Sequence, residues 1–183
     1  MSREHEHVRG AKTLDLRSVF GVEARVTAPA EATDGAYVEL DCGLAPGGST
    51  SIHYHPEQDE EFEILEGDLE VYSDGAWHSL PAGRSMTVPK GSAHGFRNTG
   101  SATVRFRNVH RPALAFQEHL ETLERLIQAG KIKGLRDPRS LMYMAIASVE
   151  QEPSVAVKPP QGLLRLLAFI GRRLGYSLPA RQL

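Results

Sequence analysis

Between residues 13 and 111 the chain is cut at short intervals by turn-forming clusters, and no helical period survives between the cuts. The clusters are Thr33-Asp34-Gly35, Ala45-Pro46-Gly47-Gly48, Glu66-Gly67-Asp68, Ser73-Asp74-Gly75, Pro81-Ala82-Gly83, Pro89-Lys90-Gly91 and Asn98-Thr99-Gly100. Between them lie strand candidates over 22–27, 36–44, 50–54, 60–65, 69–73, 76–80, 85–88, 94–97 and 103–109. Parallel strands need long crossovers, and these gaps are too short to supply them. The pattern therefore predicts an antiparallel sandwich or closed barrel. Asp74-Gly75, flanked by two strand-like runs, predicts a tight hairpin.

Beyond Pro112 the period becomes helical. Phe116, Leu120, Leu123 and Ile127 line one helix face, and Gly130 follows as a terminator. Asp137-Pro138 supplies a cap and a first-turn proline for a helix over 141–149. Pro159-Pro160 precedes a third helix, which Gly175 closes, and 150–160 reads as a proline-containing connection. The organisation is thus a polar tail over 1–12, a β domain over 13–111 and a helical extension over 112–183, packed on the β domain or on a second copy. In the last helix Leu163, Leu164, Leu166, Leu167, Phe169 and Ile170 cover nearly the whole circumference, with Arg172 and Arg173 in the final turn. That pattern predicts a subunit interface and a homodimer, with a membrane-surface role as the weaker reading.

Composition narrows the function classes. A length of 183 residues suits one domain with an appendage, and 40% hydrophobic with 24% charged residues suits a folded chain. A net charge of −2 provides no global field for nucleic acid. The single cysteine, Cys42, excludes an intrachain disulfide and is expected to be a small buried residue. Residues 1–9 are polar where a secretory signal needs an apolar stretch, and the apolar run over 163–170, interrupted by Arg165, is far short of the ~20 residues of a membrane span. A cytoplasmic protein with no membrane partner is expected. Glu4-His5-Glu6-His7 reads as a solvated tail.

The chemistry concentrates in 47–60. On a strand, side chains alternate, so His53 and His55 share a face while Ile52 and Tyr54 take the other. Glu60 follows a break at Pro56 and opens the next strand, and a closed barrel is the architecture that brings His94 inward opposite them. Three imidazoles and one carboxylate make a ligand set for one divalent transition metal, with Fe, Mn or Ni favoured and Zn possible. In an octahedral site such a set leaves two positions open. A lone acidic run over 57–63 or isolated histidines would be solvated or structural; the combined spacing overrides that reading.

These residues resemble the cupin superfamily. Its first motif, GX5HXHX4EX6G, is met by Gly47, His53, His55, Glu60 and Gly67, and its second, GX5PXGX2HX3N, by Gly83, Pro89, Gly91, His94 and Asn98. The resemblance implies a mainly β fold, a jelly-roll-like antiparallel β-barrel followed here by the C-terminal α-helical extension, with His53, His55, Glu60 and His94 as metal ligands. One pair of motifs implies a monocupin. Gly47, Gly67, Pro89 and Gly91 are expected at turns, and Asn98 either supports the site or serves local backbone groups.

By strand alternation Ser51 accompanies the histidine pair, Phe62 and Ile64 share the face of Glu60, Phe96 that of His94, and Met86 pairs with Val88. Together with Asn98 these are candidate pocket-lining residues, unless they simply fill the barrel. His78 is expected on an exposed hairpin, His110 in a structural place at the barrel exit, and His119 on the polar side of the first helix. Arg105 and Arg107 are expected to share one face and to make surface salt bridges or a dimer contact, with recognition of a substrate carboxylate the lesser reading. No catalytic base is legible beyond the ligand set, and neither a phosphate loop nor a nucleophile elbow occurs. The expected function is a metal-dependent enzyme of oxygenase type, an oxidoreductase such as a dioxygenase acting on a small oxygenated organic molecule. The alternative is a noncatalytic, metal-dependent small-molecule binding or sensing protein.

Overall fold

The structure is a computed structural model that describes residues 12–151, the backbone of 155–156, and residues 160–180. The tail carrying His5 and His7, and Pro159, lie outside the described residues.

Eleven short strands are described, in chain order β1 (Thr13–Leu16), β2 (Val22–Ala28), β3 (Val38–Leu44), β4 (His53–Tyr54), β5 (Asp59–Glu66), β6 (Asp68–Ser73), β7 (Ala76–Pro81), β8 (Ser85–Val88), β9 (Gly95–Arg97), β10 (Val104–Arg111) and β11 (Val155–Ala156). A single helical turn, α1 (Arg17–Phe20), follows β1, and three longer helices complete the chain: α2 (Phe116–Gln128), α3 (Pro138–Gln151) and α4 (Gln161–Arg173). Six strands form one sheet in the order β1-β2-β3-β10-β5-β8, and three form a second in the order β7-β6-β9. The pairings are antiparallel. This is the mainly β architecture with a helical extension that the turn spacing predicts.

Local chemistry explains the turns that matter for the site. Asp74 and Gly75 both take positive φ, 53° and 81°, as a two-residue hairpin between right-twisted strands requires. Gly67, at φ 83°, turns β5 into β6, and a Cβ there would come within 3.1 Å of the Val104 side chain. Asp137 caps α3 by accepting bonds from the Ser140 backbone N–H and hydroxyl, each 2.7 Å.

Alternation along the strands builds the core. β3 buries Val38, Leu40, Cys42 and Leu44 in strict period two. Burial pushes the Cys42 thiol well above its ordinary range, which leaves it inert. Leu123 and Leu126 of α2 join the same core as the barrel side chains, whereas Ala145 and Ile146 of α3 pack with Ala168 of α4 in a small cluster of their own. The other face of the sheet is charged: Arg105 reaches Asp41 at 3.0 Å and Glu66 at 3.1 Å, and Arg107 reaches Glu63 at 3.2 Å. Exposed pairs of this kind add little stability, and they match the surface role expected of both arginines.

Three expectations need correction. β1 was not among the strand candidates; its Leu14 and Leu16 point into the core while α2 covers it, with the Asp15 N–H donating to Glu124 at 2.8 Å. His119 is buried, not on the polar side of its helix, because Gln151 of α3 reaches its Nδ1 at 3.0 Å and burial lowers its pKa to about 4. The connection after α3 is also more than a linker: β11 pairs with β4, placing Ala156 opposite His53. Unpaired edge groups on the short β4 strand account for that pairing. Among the described residues no helix is long and apolar enough to cross a membrane.

Candidate metal centre

Four elements deliver the cluster. β4 carries His53, the turn after it His55, β5 carries Glu60, and His94 sits just before β9, bridged to His53 by reciprocal backbone hydrogen bonds of 2.8 and 2.7 Å. The loop between His55 and Glu60 is pinned by buried Gln58, whose amide donates to the carbonyls of Pro112 and Ala113 at 2.7 and 2.8 Å. One potential donor atom from each of His53, His55, Glu60 and His94 lies within 4.8 Å of all the others. His55, Glu60 and His94 are almost wholly buried, and His53 is half-buried at the rim.

Hydrogen bonds orient the rings. His53 Nδ1 and His94 Nδ1 each lie 2.8 Å from a backbone carbonyl, of Ser51 and Ser92 respectively, so both donate from Nδ1. That tautomer turns Nε2 inward, as outer hydrogen bonds commonly do for metal-bound imidazole. Glu60 Oε2 lies 2.6 Å from His94 Nε2 and 3.2 Å from His55 Nε2. Its other oxygen, Oε1, accepts from Asn108 Nδ2 at 2.9 Å, and Asn108 Oδ1 accepts from His110 Nε2 at 2.9 Å. His110 is fully buried and stacked on Phe116 of α2, with ring centroids 3.5 Å apart.

The charge state follows from these contacts. Burial alone would raise the Glu60 pKa, but the surrounding imidazoles of His110, His55 and His94 outweigh it and hold the carboxylate well below its ordinary value. Burial likewise works to lower His94, and its bond to Glu60 wins, raising it. His53 is driven down to about 4 and His110 to about 3, in both cases by burial. With Nδ1 donating to Ser92, a neutral His94 would set a lone pair against the carboxylate oxygen, so a positive charge must sit between them. A proton meets that need; so would a divalent cation.

This donor set fits a metal. Three imidazole nitrogens and one carboxylate oxygen converge in a buried space, and the negative charge of Glu60 there calls for a positive partner, which a cation would supply. The residues that would hold the ion are His53, His55, Glu60 and His94.

Most of the candidate pocket residues are packed in the barrel core. Phe62, Ile64, Val88 and Phe96 are buried in the barrel core. Phe62, Phe96 and Phe106 form an aromatic layer, with centroids 5.8 Å apart for Phe62–Phe96 and 5.4 Å for Phe96–Phe106. Met86 packs half-buried against that core, and Ser51 is exposed, meeting the site through its carbonyl. Asn98 serves local backbone: its amide donates to Leu44 and Ala102 at 2.9 and 2.8 Å, and its oxygen accepts from Gly100. These side chains fill the barrel and brace its turns. His78 is exposed, with Nε2 3.1 Å from the Ser73 carbonyl.

Sequence reasoning missed Asn108 and kept His110 apart from the site. The signal was present in faint form: Asn108 and His110 are two apart on one strand and share a face. What places them is the pairing of β10 with β5, which sets His110 opposite Glu60 and Asn108 opposite Phe62.

Comparison with known proteins agrees with this geometry. Residues 41–110 match the family model described as a cupin domain. The polyketide synthase CurC of Streptomyces cyaneus is 39% identical over 62 residues, 34% of this chain and 40% of that protein. Quercetin 2,3-dioxygenase of Bacillus subtilis is 30% identical over 73 residues, 40% of this chain and 22% of that protein. The chain spans less than half the length of these curated relatives. Among solved structures, the polyketide cyclase RemF of Streptomyces resistomycificus superposes with a TM-score of 0.50 at 25% identity, covering 61% of this chain and 79% of that one. With both motifs in place, one barrel and its inward histidines and glutamate, residues 41–110 of this chain are a single cupin domain.

Proposed function

We propose that the protein is a metal-dependent enzyme of oxygenase type acting on a small, oxygen-rich organic molecule. The observation that carries this reading is the buried cluster of three imidazoles around Glu60, with two of the rings pinned from behind by backbone carbonyls. When bound, a divalent ion would supply Lewis-acid polarisation of a chelating oxygen and, if redox-active, activation of dioxygen. The chain itself contributes position. Asn108 fixes the carboxylate, the Ser51 and Ser92 carbonyls fix the rings, and the layer of Phe62, Phe96 and Phe106 keeps water from the space beneath. His53, half-buried at the rim, marks the side from which a substrate would approach.

The relatives support an aromatic or polyketide-like, multiply oxygenated substrate, since a flavonol dioxygenase and two polyketide proteins are among them. The two polyketide proteins favour a second reading, in which the same site polarises a ketone for ring closure without consuming oxygen. Protein loaded with Fe, Mn, Ni or Zn, assayed over catechols, flavonols and polyketones with and without dioxygen, separates the two. Oxygen uptake that disappears in His53→Ala and Glu60→Ala supports the oxygenase; anaerobic product formation supports cyclisation. Tight ligand binding with no turnover under either atmosphere would overturn both in favour of a binding protein.

A further inference from the structure

The outer face of α4 is apolar and exposed. Leu163, Leu166, Phe169, Ile170 and Leu174 are 44, 51, 54, 37 and 67% exposed. The opposite face is fully engaged: Ala168 is buried against Ala145 and Ile146, and Gly171 admits Met142 and Ile146 so closely that a Cβ there would lie 3.3 and 3.2 Å from them. At 100° per residue the five exposed side chains fall on one side of the helix, with Arg173 among them and Arg165 and Arg172 along one margin. The Arg173 guanidinium rests 5.3 Å from the Phe169 ring.

The charge on this face has one sign. Residues 160–180 hold three arginines and no aspartate or glutamate. Arg172 pairs with Glu150 of α3 at 2.8 Å, whereas Arg165 and Arg173 have no acidic partner among the described residues. A two-fold contact between copies of this face would set arginine against arginine with no acid on the helix to relieve it. An anionic lipid surface supplies both things the face calls for, an apolar boundary and fixed negative charge. At 13 residues the helix is too short to span a bilayer but suits lying along one.

We infer that α4 docks this protein on an anionic lipid surface, with Leu163, Leu166, Phe169, Ile170 and Leu174 at the acyl boundary and the arginines among headgroup phosphates. The long arginine stems allow this, since they can lie along apolar surface while the charged end stays with the headgroups. Because the whole chain carries a net charge of −2, attraction to an anionic vesicle must be local to such a face.

Cosedimentation of the full-length protein tests it. Vesicles of equal parts phosphatidylcholine and phosphatidylglycerol should retain about tenfold more protein than phosphatidylcholine alone, and high salt should remove most of the difference. The doubly substituted proteins Leu166→Gln/Phe169→Gln and Arg165→Gln/Arg173→Gln should each lose about tenfold in vesicle binding with an unchanged thermal midpoint, because these side chains face solvent. Wild-type protein left in the supernatant, or variants that bind as well as wild type, would overturn the inference. So would a dimer, seen by light scattering, that the Leu166→Gln/Phe169→Gln protein splits into monomers, for the face would then belong to a second copy.

Discussion

Two adjacent layers of the barrel, built by the same strands, have opposite characters. Along β5, Glu60 is followed on the same face by Phe62 and Ile64; His94 is followed by Phe96 on β9; and along β10, His110 and Asn108 are preceded by Phe106 and Val104. One layer is a hydrogen-bonded knot of imidazole, carboxylate and amide. The next is three phenylalanines in mutual contact, Phe62 and Phe96 one side-chain step along from Glu60 and His94, and Phe106 one step along from Asn108. The contrast shows how little backbone separates chemistry from packing. A period of two carries each strand from the polar layer to the aromatic one on the same face, so the barrel can hold a polar site without dispersing polar groups through its core.

If the layers divide their roles in this way, substitutions should divide too. Phe106→Ala should have the largest effect, a loss of about 3–5 kcal/mol in urea unfolding, because it opens a cavity in the aromatic layer. Stability carried instead by the polar layer would leave that loss under about 1 kcal/mol. Glu60→Gln should abolish stoichiometric metal by elemental analysis, with affinity down more than the ~100-fold seen when an outer-shell partner is removed. Full metal occupancy in that variant would dissolve the distinction between the layers.

A buried imidazole elsewhere in the molecule sharpens the comparison. His119 lies outside the knot, held by Gln151 instead of a carboxylate, with a pKa near 4 against an ordinary 6.5. In the unfolded chain it takes up a proton as pH falls below 6.5, while the folded protein resists until about 4. Stability is therefore intact above pH 6.5 and declines toward pH 4, by up to roughly 3 kcal/mol from this group. His119→Gln should flatten that part of the stability–pH curve in chemical denaturation; an unchanged curve would remove His119 from the account. The smallest effect is expected from Asn108→Leu. It removes the bond that fixes Glu60 Oε1 and should weaken metal binding by roughly 10–100-fold. Titration calorimetry showing unaltered affinity would mean that the carboxylate holds its place without Asn108.

The legible and illegible parts of the molecule separate along physical lines. The strands from β2 to β10 were readable because turn chemistry is local, a glycine or Asp-Gly acting on its immediate neighbours. The sharing of a face by His53 and His55 was readable for the same reason. β1 was missed because its pattern, Thr13–Leu16, is too short to show a period before a helical turn interrupts it. His119 was misplaced because periodicity marks the face of a helix but not which neighbour covers its flank; α3 arrives from 32 residues away in the hydrogen bond to Gln151. β11 escaped because two residues pair with β4 across a gap of about a hundred in sequence, for which no local signal exists.

From the sequence alone came the barrel, the helical extension and the identities of His53, His55, Glu60 and His94, since each depends on period two, turn residues and motif spacing. Only the closed sheet decided how the cluster is held. Setting β10 beside β5 joins His110 and Asn108 to a glutamate some fifty residues earlier, and Phe62, Ile64, Val88 and Phe96 become core because neighbouring strands press the phenylalanines together. Spacing along a chain specifies which way a side chain points; what it meets there is set by strands that chain order does not make neighbours.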